Sequence, residues 1–428
     1  MQYRALANQQ EIEAYEEMVR LAFVEAREDM RTWLAVTPFT QQNSRGLFDD
    51  RGRLLCGMVI IDDGALYFRN SNPIPTALIT AVASPPEHRR KGYIRKLFEG
   101  MYAEQRGRGV ALTALYPFYF PFYRAFGYDL AHDAAQYTVK IEQFKAWRGA
   151  EARGEFVPLS TTNIKSEGAQ AVEQARKDPK VQAELETLNS LYSAWAANNL
   201  GTVKRDSTWW IGKLLYKNNF VNGYIYYDSE GKPAGYIIYH FEDRGNWVRD
   251  MVVHEMLAVD NFAWEAIYGF IYNHDSQAEK VKFWMPVDAA FASRLPDPRE
   301  AEVRVHPGYM LRLLDVVGAF HQRTFVPEAQ GEFTFALTDD MVPANTGTFR
   351  VQVRDGRAGV EKLSDAADDD AGLRLEQRTL AQLYGGYISP MRAASIGQLQ
   401  VRREADLQGM QAVLHPCGQP MPYMADDF

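Results

Sequence analysis

Hydrophobic and polar positions change rhythm several times along the chain, and each change marks an element. Apolar residues at Ile12, Tyr15, Met18, Val19 and Phe23 follow a helical spacing. After the polar turn Asp49–Gly52, the run Leu54–Ile61 is rich in strand-forming residues. "TALITAVAS" (Thr76–Ser84) is a short, mostly apolar run that predicts a strand buried on both faces. Just past Pro86 the period becomes helical, with Ile94, Leu97, Phe98, Met101 and Tyr102 on one face. That helix should end near Gly107 and Gly109, and "VALTALYPF" (Val110–Phe118) reads as the next strand.

The stretch from about Phe156 to Pro286 repeats this plan loosely. "GYIYYDSEGKPAGYIIYHF" (Gly223–Phe241) predicts a hairpin turning at Ser229–Pro233. "MVVHEMLAV" then leads into the helix "NFAWEAIYGFIYNHD" and the strand "KVKFWMP". Past about residue 300 the texture changes again. Phe333, Phe335 and Leu337, then Phe349, Val351 and Val353, alternate with polar residues as half-exposed antiparallel strands do. "RTLAQLYGGYISPMRAA" predicts a helix broken at Gly385–Gly386, and "DAADDD" (Asp365–Asp370) a solvated turn.

With 428 residues, 46% hydrophobic and 24% charged, the chain has room for two to four domains. A formal net charge of −8 argues against nucleic acid or an anionic membrane as partner. It also means that any anionic ligand must be met by locally concentrated positive charge. Cys56 and Cys417 stand far apart and fit a reducing compartment. No run approaches the length of a membrane span, and "MQYRALANQQEIEAYEE" lacks a signal-peptide core. The expected location is cytoplasmic. Eight scattered histidines give no metal-ligand spacing, so no metal is expected, and no GxSxG elbow occurs.

One segment concentrates charge against the trend. "PPEHRRKGYIRKLF" (Pro85–Phe98) places Arg89, Arg90, Lys91 and Arg95 around Gly92, where the predicted buried strand turns into a helix. Such a turn presents backbone N–H groups at a helix N-terminus and can hold an anion. The residues alone leave a solvated helix start equally open. The corresponding turn of the second copy, "VDNFAWEA", has neither glycine nor basic cluster.

"VASPPEHRRKGYIRKLF" resembles the pyrophosphate-binding motif of the GNAT acyl-CoA-dependent N-acetyltransferases, with Ile94 where the family usually has a second small residue. "FPFYRAFGYDLAHDAAQYTV" resembles the YxxFGY signature of the enhanced intracellular survival (Eis) branch. The resemblance covers essentially the whole chain. It implies an α/β (α+β) protein of tandem GNAT domains, each a mixed sheet flanked by helices, over 1–150 and 151–300. A sterol-carrier-like α+β domain over 301–428 would follow and supply the catalytic C-terminus.

The resemblance further implies acetyl-CoA as cosubstrate. Val82, Ala83 and Ser84 would contact pantetheine, and Arg89, Arg90, Lys91, Gly92, Tyr93, Ile94 and Arg95 the phosphates. Phe118 and Tyr119 would complete the cofactor-binding set. Tyr123, which opens YxxFGY, would be the general acid, and the α-carboxylate of Phe428 the base. Asp427 and Asp426 would lie at the mouth of the acceptor pocket, with Glu28, Asp29 and Trp33 as candidates for its wall, where carboxylates beside aromatic faces suit cationic amines. The implied reaction is direct N-acetylation of an aminoglycoside-like or lysine amine in a homo-oligomer, a hexamer by family resemblance. The alternatives are another acyl or aminoacyl transferase on tandem GNAT domains, or a lipid carrier centred on residues 300–428.

Overall fold

A computed structural model describes residues 1–23, 40–61, 63–69, 72–216, 219–245, 247–367 and 370–426. Glu28, Asp29, Trp33, Asp427 and Phe428 lie outside the described residues. Among the described residues no helix is long and apolar enough to cross a membrane.

The first helix runs Gln9–Ala22, capped by the Asn8 side chain, which accepts from the Glu11 amide, and it buries Ile12, Tyr15, Met18 and Val19. The buried strand runs Ile74–Ala83, the helix after the basic turn Tyr93–Gly107, and the next strand Leu112–Leu115. These two strands are parallel, as a helical crossover requires, while the meander from Gln2–Ala5 through Ser44–Phe48 and Leu54–Ile61 is antiparallel. The second copy keeps the plan. Arg249–Ala258 and Lys280–Pro286 form its parallel pair, and Asn261–Tyr272 is the crossover helix. The hairpin strands are Asn222–Tyr227 and Pro233–Asp243.

Strand pairing divides the chain differently from cuts at 150 and 300. Asp133–Lys140 and Ala301–Pro307 both belong to the seven-stranded central sheet. In return, Met310–Leu313 inserts between Leu112–Leu115 and Asp129–Leu130 of the first sheet, and Leu200–Val203 covers the strand Ala65–Phe68. Each exchange gives a partner to a strand edge that would otherwise expose its N–H and C=O groups. The sequence carries no periodicity signal for such long-range swaps.

The C-terminal part is a five-stranded sheet with helices Val316–Gln322, Gln377–Gly385, Pro390–Ser395 and Glu404–Leu414. The alternating residues Phe333, Phe335, Leu337, Phe349, Val351 and Val353 are all buried. They form one cluster with Leu78, Leu112, Leu311 and Leu313 of the first sheet. The third domain is thus packed on the first through a shared core.

A buried ion pair fixes that junction. Arg312 is fully buried; its Nη2 donates to both Asp339 carboxylate oxygens at 2.7 and 2.8 Å, and Nη1 donates to the Phe126 carbonyl at 2.8 Å. Asp339 is further satisfied by the amides of Met341 and Val342. Arg312→Met keeps the bulk but strands the carboxylate, so it should lower unfolding free energy by about 3–5 kcal/mol. The measurement is the denaturant midpoint, and adding Asp339→Asn should restore much of the loss.

Candidate active site

Beyond Ile79 the parallel pair of the first sheet parts. Leu112–Leu115 ends there, while its neighbour continues to Ala83. On the other side of that neighbour Gly57 faces Ala83 and Val59 faces Thr80, so Ala81 and Val82 together oppose Met58. This β-bulge holds Ala81 at φ 52°, unusual for a residue with a side chain. Its carbonyl accepts the Tyr15 hydroxyl at 2.6 Å. Among the described residues no strand pairs with the open side of residues 80–83, leaving backbone groups available to an extended ligand. Val82 and Ser84 are half-buried at this edge, and Ala83 is buried.

The gap leads to the basic turn. Pro86–His88 forms a short 3-10 turn, Arg90 stands at φ 60° and Gly92 at φ 77° as N-cap of Tyr93–Gly107. A Cβ at Gly92 would meet open space, so the left-handed backbone and not crowding accounts for glycine there. The first helical bond runs from the Lys96 amide to the Gly92 carbonyl at 3.3 Å. The amides of Tyr93, Ile94 and Arg95 therefore precede any intrahelical acceptor. Arg89, Arg90, Lys91 and Arg95 are exposed, Tyr93 and Ile94 half-buried. Among the described residues neither Arg90 nor Lys91 is in an ion pair.

Two of the expected cations are engaged nearby. Arg89 Nε donates to the Ser84 carbonyl at 3.3 Å, tying the turn to the strand end. Arg95 leans over Phe126, 5.7 Å from the ring centroid, and reaches Met341 Sδ.

The YxxFGY segment is built around Arg312. Phe126 stacks on Phe98 at 4.7 Å, and its carbonyl accepts from Arg312 and the Tyr102 hydroxyl. Gly127 stands at φ 85°, and a Cβ there would run into the Arg312 guanidinium. The Tyr128 and Thr113 hydroxyls share a hydrogen bond at 3.0 Å. Phe126, Gly127 and Tyr128 are therefore structural, and they set the short helix Phe120–Arg124 that carries Tyr123.

Tyr123 is 3% exposed, with its ring edge-on to Phe98, Phe118 and Phe122. Burial, then the nearby Tyr128, raises its hydroxyl well above the usual phenol value. Burial likewise raises Tyr15, where Cys56 and Tyr123 add to the effect, and pushes Cys56 up to about 12. Tyr123 thus stands within electrostatic reach of the hydroxyl that holds the bulge. Periodicity marks Tyr15 only as one residue of a helix face, so its role at the bulge is invisible before folding. Phe118 and Tyr119 are 66% and 58% exposed beside Tyr123.

Residues 423–426 are drawn into the seam between first and central sheets. The Tyr423 amide donates to the Leu200 carbonyl at 3.2 Å, and Met424 is buried. Asp426 is held by Arg205 through Nε at 3.0 Å and Nη2 at 2.7 Å, and by Trp209 Nε1 at 2.9 Å. Arg205 also forks onto Glu255 at 2.8 and 2.7 Å and lies 3.7 Å from the Tyr192 ring centroid. Lys213 Nζ reaches Glu255 at 3.1 Å and the Ala425 carbonyl. Burial alone would raise the Glu255 carboxyl, but Arg205 and Lys213 overcome it and hold it well below the usual carboxylate range.

Residues 2–131 match an acetyltransferase (GNAT) domain, residues 201–313 a second acetyltransferase (GNAT) domain, and residues 316–424 a sterol carrier protein domain. An uncharacterized N-acetyltransferase of Streptomyces avermitilis is 24% identical over 363 residues, covering 81% of this chain and 80% of that one. N-acetyltransferase Eis of Mycobacterium tuberculosis is 25% identical over 366 residues, covering 84% and 83%. The crystal structure of a GCN5-related N-acetyltransferase from Anabaena variabilis superposes over the full length of both chains, with a TM-score of 0.83 at 24% identity. That last likeness speaks for the fold.

Arg205→Ala should release the tail: carboxypeptidase would remove the last residues at least about tenfold faster, the tenfold corresponding to 1.4 kcal/mol of lost anchoring. Glu255 is depressed in the folded state, so its contribution is complete above the unfolded carboxylate value near 4.3 and fades as pH falls toward the folded one. Digestion of the wild-type tail should therefore be unchanged between pH 8 and about 5.

Proposed function

We propose that this chain, an Eis-like GNAT N-acetyltransferase, takes its acetyl group from acetyl-CoA and passes it directly to a primary amine of a cationic acceptor, aminoglycoside-like or lysine. The reading is carried by the parted strands of the first sheet, which open onto a basic turn, with Tyr123 in the core that packs beneath them. An extended amide chain would pair with the open edge at Val82, Ala83 and Ser84, as an added strand does. The pyrophosphate would meet the amides of Tyr93, Ile94 and Arg95 and the side chains of Arg90 and Lys91. Phe118 and Tyr119 offer exposed rings beside them.

Acetyl-CoA, when bound, supplies a thioester carbon activated for attack. The new N–C bond forms as the C–S bond breaks, so one proton must leave the amine and one must reach the sulfur. Tyr123 is the proposed donor for the second transfer: burial keeps its proton in place at neutral pH, and because burial also makes it a weaker acid than a thiol, the transfer to sulfur is completed only as the proton released by the amine restores the hydroxyl. Phe428, whose α-carboxylate lies two residues past the anchored Asp426, is the proposed base. A net charge of −8 favours a cationic acceptor in the encounter. The carrier alternative is disfavoured by a C-terminal sheet whose inner face is filled by Phe333, Phe335, Phe349 and Val351 in the shared core.

The test is acetyl-CoA-dependent thiol release across aminoglycosides, polyamines and lysine peptides. Tyr123→Phe should cut kcat by about 10²–10⁴ with acetyl-CoA affinity unchanged. Arg90→Ala should raise the KM for acetyl-CoA with kcat nearly intact. Removing Phe428 should abolish turnover; a truncated enzyme that turns over normally would return the terminus to the status of a tail. Because the Tyr123 hydroxyl is raised above its ordinary value near 10, its protonated form persists, and kcat should not fall on the alkaline side below about pH 10.

A further inference from the structure

The central sheet has a parting of its own. Arg249–Ala258 and Lys280–Pro286 pair only where Asp250–Val252 faces Lys280–Lys282, and then both continue. The gap between their far ends is a cavity of about 250 Å³. Its walls include Trp264 and Tyr268 from the crossover helix, Trp284 from the second strand, and Tyr423 from the anchored tail. It is lined by central-domain and tail residues and shares none of the residues proposed for acetyl-CoA.

Phosphate is unwelcome at this turn. Where the first domain has Gly92 as N-cap, the central one has Asp260, whose carboxylate accepts the Ala263 amide at 2.8 Å. It occupies a helix-start donor and adds negative charge where a pyrophosphate would sit. Among the described residues, the charged side chains that line the cavity are Glu255 and Arg294. Glu255 is already neutralised by Arg205 and Lys213 and accepts the Tyr236 hydroxyl at 2.5 Å. Arg294 has neutral partners: Nη2 donates to Asn261 Oδ1 at 2.6 Å, and the guanidinium lies 5.3 Å from the Tyr268 ring centroid. Among the described residues no carboxylate forms an ion pair with it.

We propose that this second cleft is a binding site for a flat aromatic carboxylate, its ring against the aromatic lining and its carboxylate on Arg294. Size agrees. An apolar cavity of about 150 Å³ takes up benzene, so about 250 Å³ has room for a bicyclic ring. Ring stacking supplies the affinity and the Arg294 fork the selectivity. The occupant would touch Tyr423 and Ala425, a few residues from the chain's end.

Isothermal titration of the full-length protein with indole-3-acetate, indole and tryptamine tests this. Indole-3-acetate should bind at least about tenfold more tightly than either of the others, a 1.4 kcal/mol preference. Arg294→Gln should erase that preference while leaving indole binding unchanged, and Ala289→Trp, which fills the cavity, should abolish binding of all three. Saturating acetyl-CoA should not displace indole-3-acetate, which keeps the outcome separate from the acetyl-transfer reading. Absence of binding, equal binding of indole and indole-3-acetate, binding that survives Ala289→Trp, or displacement by acetyl-CoA would each overturn the proposal.

Discussion

A guanidinium sealed from water must find its counter-charges inside the protein, and Arg205 finds two. One is Glu255 on a central strand; the other is Asp426, near the end of the chain. Removing an ion from water costs several kcal/mol even after relaxation, and the pair recovers this only when its hydrogen bonds are complete. Here they are: both carboxylates receive further donors, and the cation's faces rest on Tyr192 and Trp210. The tail's position is therefore set by electrostatic satisfaction at a site far from it in sequence. The wall that Tyr423 and Ala425 give the second cleft follows from this arrangement.

The two parted strand pairs show how one backbone plan supports opposite chemistries. Both open at the end of a parallel pair joined by a single helix. In the first, a left-handed Gly92 and exposed cations leave the helix start electropositive. In the second, Asp260 closes the same position with its own carboxylate, and aromatic side chains take over the gap. On one sheet plan, a handful of turn residues leave one helix start bare and cationic and close the other with a carboxylate.

Much of this was legible in the sequence because periodicity reports local structure. The switch from strand to helical period at Pro86 located the basic turn, and the alternation at Phe333–Leu337 and Phe349–Val353 marked the buried face of the C-terminal sheet. YxxFGY was legible as a motif, though not the reason for its glycine, which is the Arg312 guanidinium nearly two hundred residues away. The bulge at Ala81 carries no residue signal, since alanine is not expected at positive φ. Nor does Arg205, in the polar stretch before "STWW", announce that it will be buried. These are consequences of long-range pairing, and strand exchange between the sheets is the largest of them.

That exchange also bears on how the chain is made. Leu112–Leu115 cannot acquire its partner Met310–Leu313 until roughly 200 further residues have been added. At about 5–20 residues per second, a nascent first domain would wait about 10–40 s with an apolar strand edge uncovered. The N-terminal half is thus not a self-sufficient folding unit during synthesis, and a ribosome that stalled between the two halves would hold out an aggregation-prone edge.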